Sequence, residues 1–220
     1  MEEKNQEEVW NRIAVSWNKY RNKPLKEVIE FLKEKKGKVL DLGCGSGRNF
    51  IESKRIEFYA CDFSEEMIRL AKEKAKKEKM KVVIKKMENN KIPFEDNFFD
   101  YILCIAVLHC IPKEEERKKI IQEMKRVLKK EGKILLSVWS KNHKKIRNLK
   151  DKKEAYIPWR FSNETFLRYY YFFDKEELEN FFSGEKFVIE KEWEDENIWF
   201  ILRKGNNKEI NSNISQTKNS

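Results

Sequence analysis

Near the start of the chain, apolar positions recur with helical spacing. Trp10, Ile13, Ala14 and Trp17 fall at i, i+3, i+4 and i+7, which predicts an amphipathic helix. Pro24 opens a second helix carrying Leu25, Val28, Ile29 and Leu32, and Gly37 ends it. The pattern then shortens. Lys38 to Leu42 reads as an apolar strand that runs into a glycine-rich turn, with a helix expected from about Arg48. Ile56 to Cys61 is a second strand. Ser64 is an N-cap, with Glu65 and Glu66 in the first turn of a helix running through Met67, Ile68 and Ala71. Val82 to Ile84 is a third strand, and the polar stretch from Glu88 to Asn97, which holds Pro93, is a loop. Phe99 to Val107 is almost continuously apolar, as a strand buried on both faces should be. Residues 114 to 130 predict a helix with Ile120, Ile121, Met124, Val127 and Leu128 inward, ended by Gly132, and Ile134 to Trp139 is the fifth strand.

Strands alternating with helices imply an α/β fold with a parallel, doubly wound sheet and helices on both faces. After Trp139 the pattern changes. Residues 140 to 173 are first basic and then aromatic, with no clear period. A short helix (Glu176 to Phe182) and two strands (Phe187 to Trp193, Ile198 to Leu202) close a single domain expected over residues 1–204. Residues 205–220 are rich in Asn and Ser and are expected to be a disordered tail. No internal repeat is visible.

Composition sharpens this picture in two places. The 48 Lys and Arg against 38 Asp and Glu give a formal net charge of +10, which favours polyanionic partners such as nucleic acid, although a Lys- and Glu-rich proteome would produce the same excess. The basic residues concentrate: eight Lys or Arg stand against two acids between residues 141 and 160. The four cysteines, Cys44, Cys61, Cys104 and Cys110, form no C-x-x-C pair, and there are only two histidines, so neither a zinc site nor a disulfide framework is expected. With no apolar leader and no run of membrane-spanning length, a cytoplasmic location is expected.

The strongest chemical signal is Val39-Leu40-Asp41-Leu42-Gly43-Cys44-Gly45-Ser46-Gly47: a strand, an acid, and three glycines at alternate positions. In a doubly wound sheet the ligand crevice lies outside the carboxyl ends of the strands, and glycines let the backbone turn and approach a ligand closely. The spacing G-x-G-x-G differs from the dinucleotide fingerprint G-x-G-x-x-G, and Asp41 would repel a pyrophosphate. It suits the ammonium and sulfonium of S-adenosylmethionine. Asp62, followed by Phe63, ends the next strand and can accept hydrogen bonds from both ribose hydroxyls.

On these residues the chain resembles the class I S-adenosylmethionine-dependent methyltransferases over about residues 36–140. The resemblance implies a Rossmann-like, mostly parallel seven-strand sheet closed by the last two strands. It places Asp41 and Gly43 at the methionine end of the cofactor, with Cys44, Gly45 and Gly47 in the same loop, and Asp62 and Phe63 at the ribose. Glu88-Asn89 matches the adenine-contacting pair, with Glu where Asp is usual. Cys104-Ile105-Ala106 matches the segment lining the methyl-transfer face.

Three further segments narrow the likeness: W-N-K-Y-R-N-K-P-L from Trp17, C-I-A-V-L-H-C-I from Cys104, and Y-I-P-W-R-F-S-N-E-T-F-L-R-Y-Y-Y-F-F from Tyr156. Together they resemble the transfer-RNA carboxymethyluridine methyltransferases, which esterify the carboxymethyl group of a wobble uridine. Arg21, His109 and Arg168-Tyr169-Tyr170 match that pattern, while Cys110 and Tyr171 stand where the family usually has His. The implied acceptor is a carboxylate, ionised at neutral pH, so the enzyme has to orient rather than deprotonate it. Arg21 and Arg168 are the candidates for holding it, and His109 for donating to it or to the uracil. Lys144, Lys145, Arg147 and Arg160 are candidate phosphate contacts, and Trp159, Tyr169 and Tyr170 candidate stacking rings for the anticodon loop. The resemblance also implies a small zinc-binding activator protein as partner. Two rival readings share the cofactor loop: a methyltransferase acting on a small molecule such as a quinone precursor or organic acid, and a non-catalytic RNA-binding subunit that kept the fold.

Overall fold

The computed structural model describes residues 5–149 and 151–205; the expected tail, from 206 onward, lies outside the described residues. Helices α1 (Gln6–Tyr20) and α2 (Lys26–Leu32) precede β1 (Gly37–Leu42). There follow β2 (Ile56–Asp62), α3 (Glu65–Lys77), β3 (Val82–Lys86), β4 (Phe99–Ile105), α4 (Glu114–Val127) and β5 (Leu128–Trp139). The strands β6 (Glu154–Phe161) and β7 (Glu164–Tyr171), helix α5 (Lys175–Gly184), and strands β8 (Phe187–Glu194) and β9 (Asn197–Lys204) complete the fold. Seven strands form one sheet in the order β3-β2-β1-β4-β5-β9-β8. The first five are parallel, and β9 runs antiparallel to both of its neighbours. This is the expected Rossmann-like architecture. The winding reverses between β1 and β4, so a crevice opens at the carboxyl ends of β1, β2 and β4.

Alternation along the strands decides what each face holds. Leu40 and Leu42 of β1 point into a core with Ile120, Ile121 and Met124 of α4 and Leu178 and Phe182 of α5. Val39 points to the opposite face, where it meets Val28 and Phe31 of α2 and Ala71 of α3. Each of the larger apolar side chains contributes roughly 1.5–3 kcal/mol by leaving water. Helix α3 starts as its sequence says: the Ser64 hydroxyl accepts from the Met67 N–H at 3.2 Å. Helix α1 buries Trp10, Ile13 and Ala14 against Met67 and Leu70, and it also touches Trp159 and Phe166 of the β6–β7 hairpin. It therefore ties the hairpin to the cofactor side of the sheet.

Four boundaries differ from expectation. No helix forms after Arg48; the chain turns through residues 43–55 and Phe50 packs into the α2 layer instead. The few residues available, ending in Ser53-Lys54-Arg55, have no apolar period to bury. Helix α2 stops at Leu32 because Glu34 takes a positive φ of 62°, and Gly37 already belongs to β1. Strand β4 ends at Ile105, where Ala106 (φ 60°) turns the chain, and Gly132 lies inside β5 rather than ending a helix. The segment without a clear period holds a hairpin. Its two-residue turn, Ser162-Asn163, has both φ angles positive (48° and 64°), the mirror-image turn that matches strand twist. Pro158 hides β6 from a sequence reading, yet it is tolerated because β6 pairs only with β7.

Candidate active site

The crevice at the strand ends is a cavity of about 250 Å3. One end is built by the glycine loop. Gly43 and Cys44 donate their N–H groups to the Cys61 carbonyl at 2.8 and 3.1 Å, which pins the loop to the end of β2. Gly43 has φ +66°, and a Cβ there would meet Val107 Cγ2 at 2.5 Å. Gly47 has φ +81°, and a Cβ there would strike the Phe50 ring at 2.6 Å, so any other residue at either place is strained and has to displace its neighbour. Gly43, Cys44, Gly45, Asp62 and Phe63 line the cavity. Gly47 shapes the loop from outside it.

Both acids of this end are buried; Asp62 lines the cavity, whereas Asp41 lies outside the lining. Asp62 accepts from the Gly45 N–H at 2.8 Å and the Ser64 N–H at 2.9 Å. Burial still raises its pKa to about 6. Asp41 is 1% exposed, and burial raises its pKa to about 7 despite the Asn49 side chain. Asp41 Oδ2, Ser46 Oγ and Asn49 Oδ1 are buried without a hydrogen-bond partner among the described residues. Orphaned acceptors around a buried carboxylate fit a cationic, hydrogen-bond-donating group such as an ammonium.

The other end is built from residues far apart in the chain. Arg168 on β7 is 3% exposed. Its guanidinium carbon lies 5.9 Å from the Trp10 ring centroid, 5.4 Å from Trp17, 5.2 Å from Trp159 and 5.1 Å from Tyr170. Nη1 donates to the Tyr170 hydroxyl at 2.7 Å, while Nε has no partner among the described residues. Among those residues Arg168 makes no ion pair. Trp10 and Trp17 line the cavity, so Arg168 sits directly behind two wall residues. Arg21 lines the cavity itself, with its guanidinium carbon 5.3 Å from the Trp17 ring.

Four sequence assignments move. His109 is 1% exposed and does not line the cavity. Its Nδ1 accepts from the Trp139 N–H at 3.2 Å, its ring stacks on Tyr170 at 5.0 Å, and burial lowers its pKa to about 3. A neutral ring held this way supports Tyr170, and through it Arg168, rather than meeting a substrate. Tyr170 is itself sandwiched against Trp139, which in turn stacks on His143. Tyr169 is also buried and bonds Glu154, so neither tyrosine offers a free face to a base. On the cofactor side, Glu88 and Asn89 are exposed, and Met87 and Asn90 line the cavity in their place. Cys104 points into the α4 core, and Ile105, Ala106 and Val107 face the cavity. A one-residue shift of this kind is invisible in spacing alone.

The basic candidates scatter. Lys144 pairs with Glu196 at 3.0 Å, Arg160 is exposed, and the side chain of Arg147 lies outside the described ones. Lys145 has its pKa lowered by burial and by the nearby charges of Arg21 and Arg168. Trp159 faces Arg168, and its indole N–H donates to Ser16 Oγ at 2.8 Å. Tyr20, not singled out by the sequence, is 74% exposed and lies 6.2 Å from Trp159. Tyr171 packs under Arg117 at 4.1 Å and donates to Glu177 at 2.6 Å, a structural role.

Residues 40–136 match the family model described as a methyltransferase domain. The fold agrees: a protein of Pyrococcus horikoshii OT3 superposes with a TM-score of 0.70 at 23% identity, covering 89% of this chain and 95% of that one. The chain shares its fold with solved S-adenosylmethionine-dependent methyltransferases, and its matched segment, a little under half of its length, is similar to a methyltransferase domain. Among characterised sequences it is similar to the tRNA (carboxymethyluridine(34)-5-O)-methyltransferase of Schizosaccharomyces pombe, 27% identical over 90% of this chain and 95% of that protein. The Arabidopsis thaliana protein of the same name is 31% identical over 64% of this chain but only 34% of its own length. The chain likewise spans about a third (34%) of the Mus musculus "Probable tRNA methyltransferase 9B", at 27% identity over 72% of this chain. A Haloferax volcanii protein, solved in complex with the Trm112 methyltransferase activator, shares the fold with a TM-score of 0.66 at 13% identity, covering 90% of this chain and 98% of that one.

Proposed function

We propose that this enzyme methylates the carboxylate of 5-carboxymethyluridine at the wobble position of transfer RNA. The observation that carries the reading is Arg168: a buried guanidinium, boxed by aromatic rings beside the cofactor cavity, with no carboxylate partner among the described residues. A buried unpaired cation is costly unless a ligand supplies its counter-charge. The likeness to the Schizosaccharomyces pombe enzyme names a substrate with that counter-charge.

S-adenosylmethionine supplies an electrophilic methyl group. A carboxylate is ionised at neutral pH and needs no general base. The chain's task is to hold one carboxylate oxygen in line and neutralise the other. Arg168 and Arg21 do this, while the neutral stack of His109 and Tyr170 keeps Arg168 in place. The carboxylate oxygen bonds to the methyl carbon as the carbon–sulfur bond breaks, and no proton moves.

Tyr20 and Trp159, with Arg160 and Lys145 nearby in the fold, offer an exposed ring and cations at the rim for an anticodon loop. An activator protein of the zinc-binding kind is part of the proposal. β3 forms one edge of the sheet, and its Val83 is 46% exposed beside a groove lined by Tyr59, Phe94 and Phe98. Labelled S-adenosylmethionine, tRNA lacking the ester, and an added activator test the reading. A base-labile methyl ester on the wobble uridine is expected. Cofactor binding without incorporation would move the acceptor to a small molecule.

A further inference from the structure

Arg168 is not the one buried donor in its box without a partner. Trp10 is 9% exposed and lines the cavity, and its indole Nε1 is buried with no hydrogen-bond partner among the described residues. Its ring meets Trp17 edge-on at 5.1 Å and lies 5.9 Å from the Arg168 guanidinium carbon. The neighbouring indole is treated differently: Trp159 donates to Ser16 Oγ, whose own hydroxyl donates to the Ile13 carbonyl at 2.9 Å. Buried N–H groups in folded proteins are almost always paired, so two unpaired ones in a single aromatic box beside a ligand cavity point to an acceptor that arrives with the substrate.

The oxygens of the box are already engaged. The Tyr170 hydroxyl accepts from Arg168, and Ser16 Oγ accepts from Trp159. What the box offers is N–H donors. A carboxylate is acceptor-only and matches it. A carboxamide would set its NH2 group against other donors and leave it unsatisfied, which is the kind of mismatch that discriminates strongly between close analogues.

We propose that Trp10 is a specificity-determining residue, whose indole N–H joins Arg168 in receiving the acceptor carboxylate and excluding the corresponding carboxamide. This rests on the carboxylate reading of the site given above. The test compares wild type with Trp10→Phe, which keeps a ring and removes the N–H. Three quantities are read: methyl transfer to tRNA carrying 5-carboxymethyluridine, inhibition by tRNA carrying 5-carbamoylmethyluridine, and affinity for S-adenosylhomocysteine. Losing a hydrogen bond to a charged group should lower kcat/KM roughly tenfold or more. It should also narrow the wild-type preference for acid over amide and leave S-adenosylhomocysteine affinity within about twofold. A packing role alone would leave the acid-to-amide ratio where it was. If wild type is active and Trp10→Phe keeps both its kcat/KM and its ratio, the inference falls and the carboxylate reading stands. If wild type, with activator, never methylates the carboxymethyl substrate, the parent reading falls and takes this one with it. Should Trp10→Phe fail to fold, replacing Trp10 with 3-benzothienylalanine, which puts sulfur where the N–H was, is judged by the same ratio.

Discussion

The two ends of the cavity are electrostatic opposites. At the glycine loop, Asp41 and Asp62 are buried without an ion pair among the described residues, and orphaned oxygens of Asp41, Ser46 and Asn49 lie around them. At the α1–hairpin end, the buried charge is the cation Arg168, and the orphaned atoms are the donors Arg168 Nε and Trp10 Nε1. An ordinary core would pair such groups with each other. Here they are kept apart, each wanting a ligand of the opposite kind. On the proposed function, the first end takes the cationic methyl donor and the second the anionic acceptor.

That comparison can be broken most directly at Arg168. Arg168→Ala should lower single-turnover methyl transfer about a hundredfold, since truncating one partner of a buried charged contact costs about 2–5 kcal/mol. S-adenosylhomocysteine binding, followed by calorimetry, should hardly change. A normal turnover would remove Arg168 from the acceptor end.

The converse change sits at the other end. Asp62→Ala should weaken S-adenosylhomocysteine about tenfold or more, because it strips the partner from two backbone N–H groups as well as from the ligand. Unchanged affinity would sink the ribose assignment.

Asp41 sharpens the contrast through pH. Its pKa is raised by burial from 3.8 to about 7, so across that window the folded protein holds a proton that the unfolded chain has lost. Stability of the free enzyme on this account falls as pH rises from about 4 to 7 and stays at its lowest above that. An ammonium held beside Asp41 reverses the preference, so affinity for S-adenosylhomocysteine, which keeps that ammonium, should rise between about pH 6 and 8 as the proton is released, with Asp62 contributing in the lower part of the range. Asp41→Asn should flatten that rise and, at pH 8, bind the ligand more weakly while raising the melting temperature of the free protein. A steep rise that survives in Asp41→Asn would place the titrating group elsewhere.

Ser16→Ala should have the smallest effect. It leaves the Trp159 N–H unpaired and costs about 1–3 kcal/mol of stability, read by denaturant unfolding, with cofactor affinity intact. A change in cofactor affinity would mean that the two ends are mechanically coupled through α1.

The two ends also differ in how far the sequence alone revealed them. The acid, the three glycines and the second acid lie within residues 41–62, on two adjacent parallel strands, so chain order already places them together. The hydrophobic pattern likewise determined the parallel sheet and the inward faces of α3 and α4, because periodicity is local and burial follows it. The acceptor end has no such local signature. Ser16 and Trp159 are 143 positions apart, and the box around Arg168 forms only when a hairpin masked by Pro158 and a Ser-Asn turn folds back onto α1. Arg21 and Arg168 could be picked out as residues. That His109 and Tyr170 would be buried behind them, and that Trp10 would stand in front with its N–H unpaired, was decided by packing between elements distant in the chain. Which side of a side chain meets solvent, ligand or core is set by its neighbours in space.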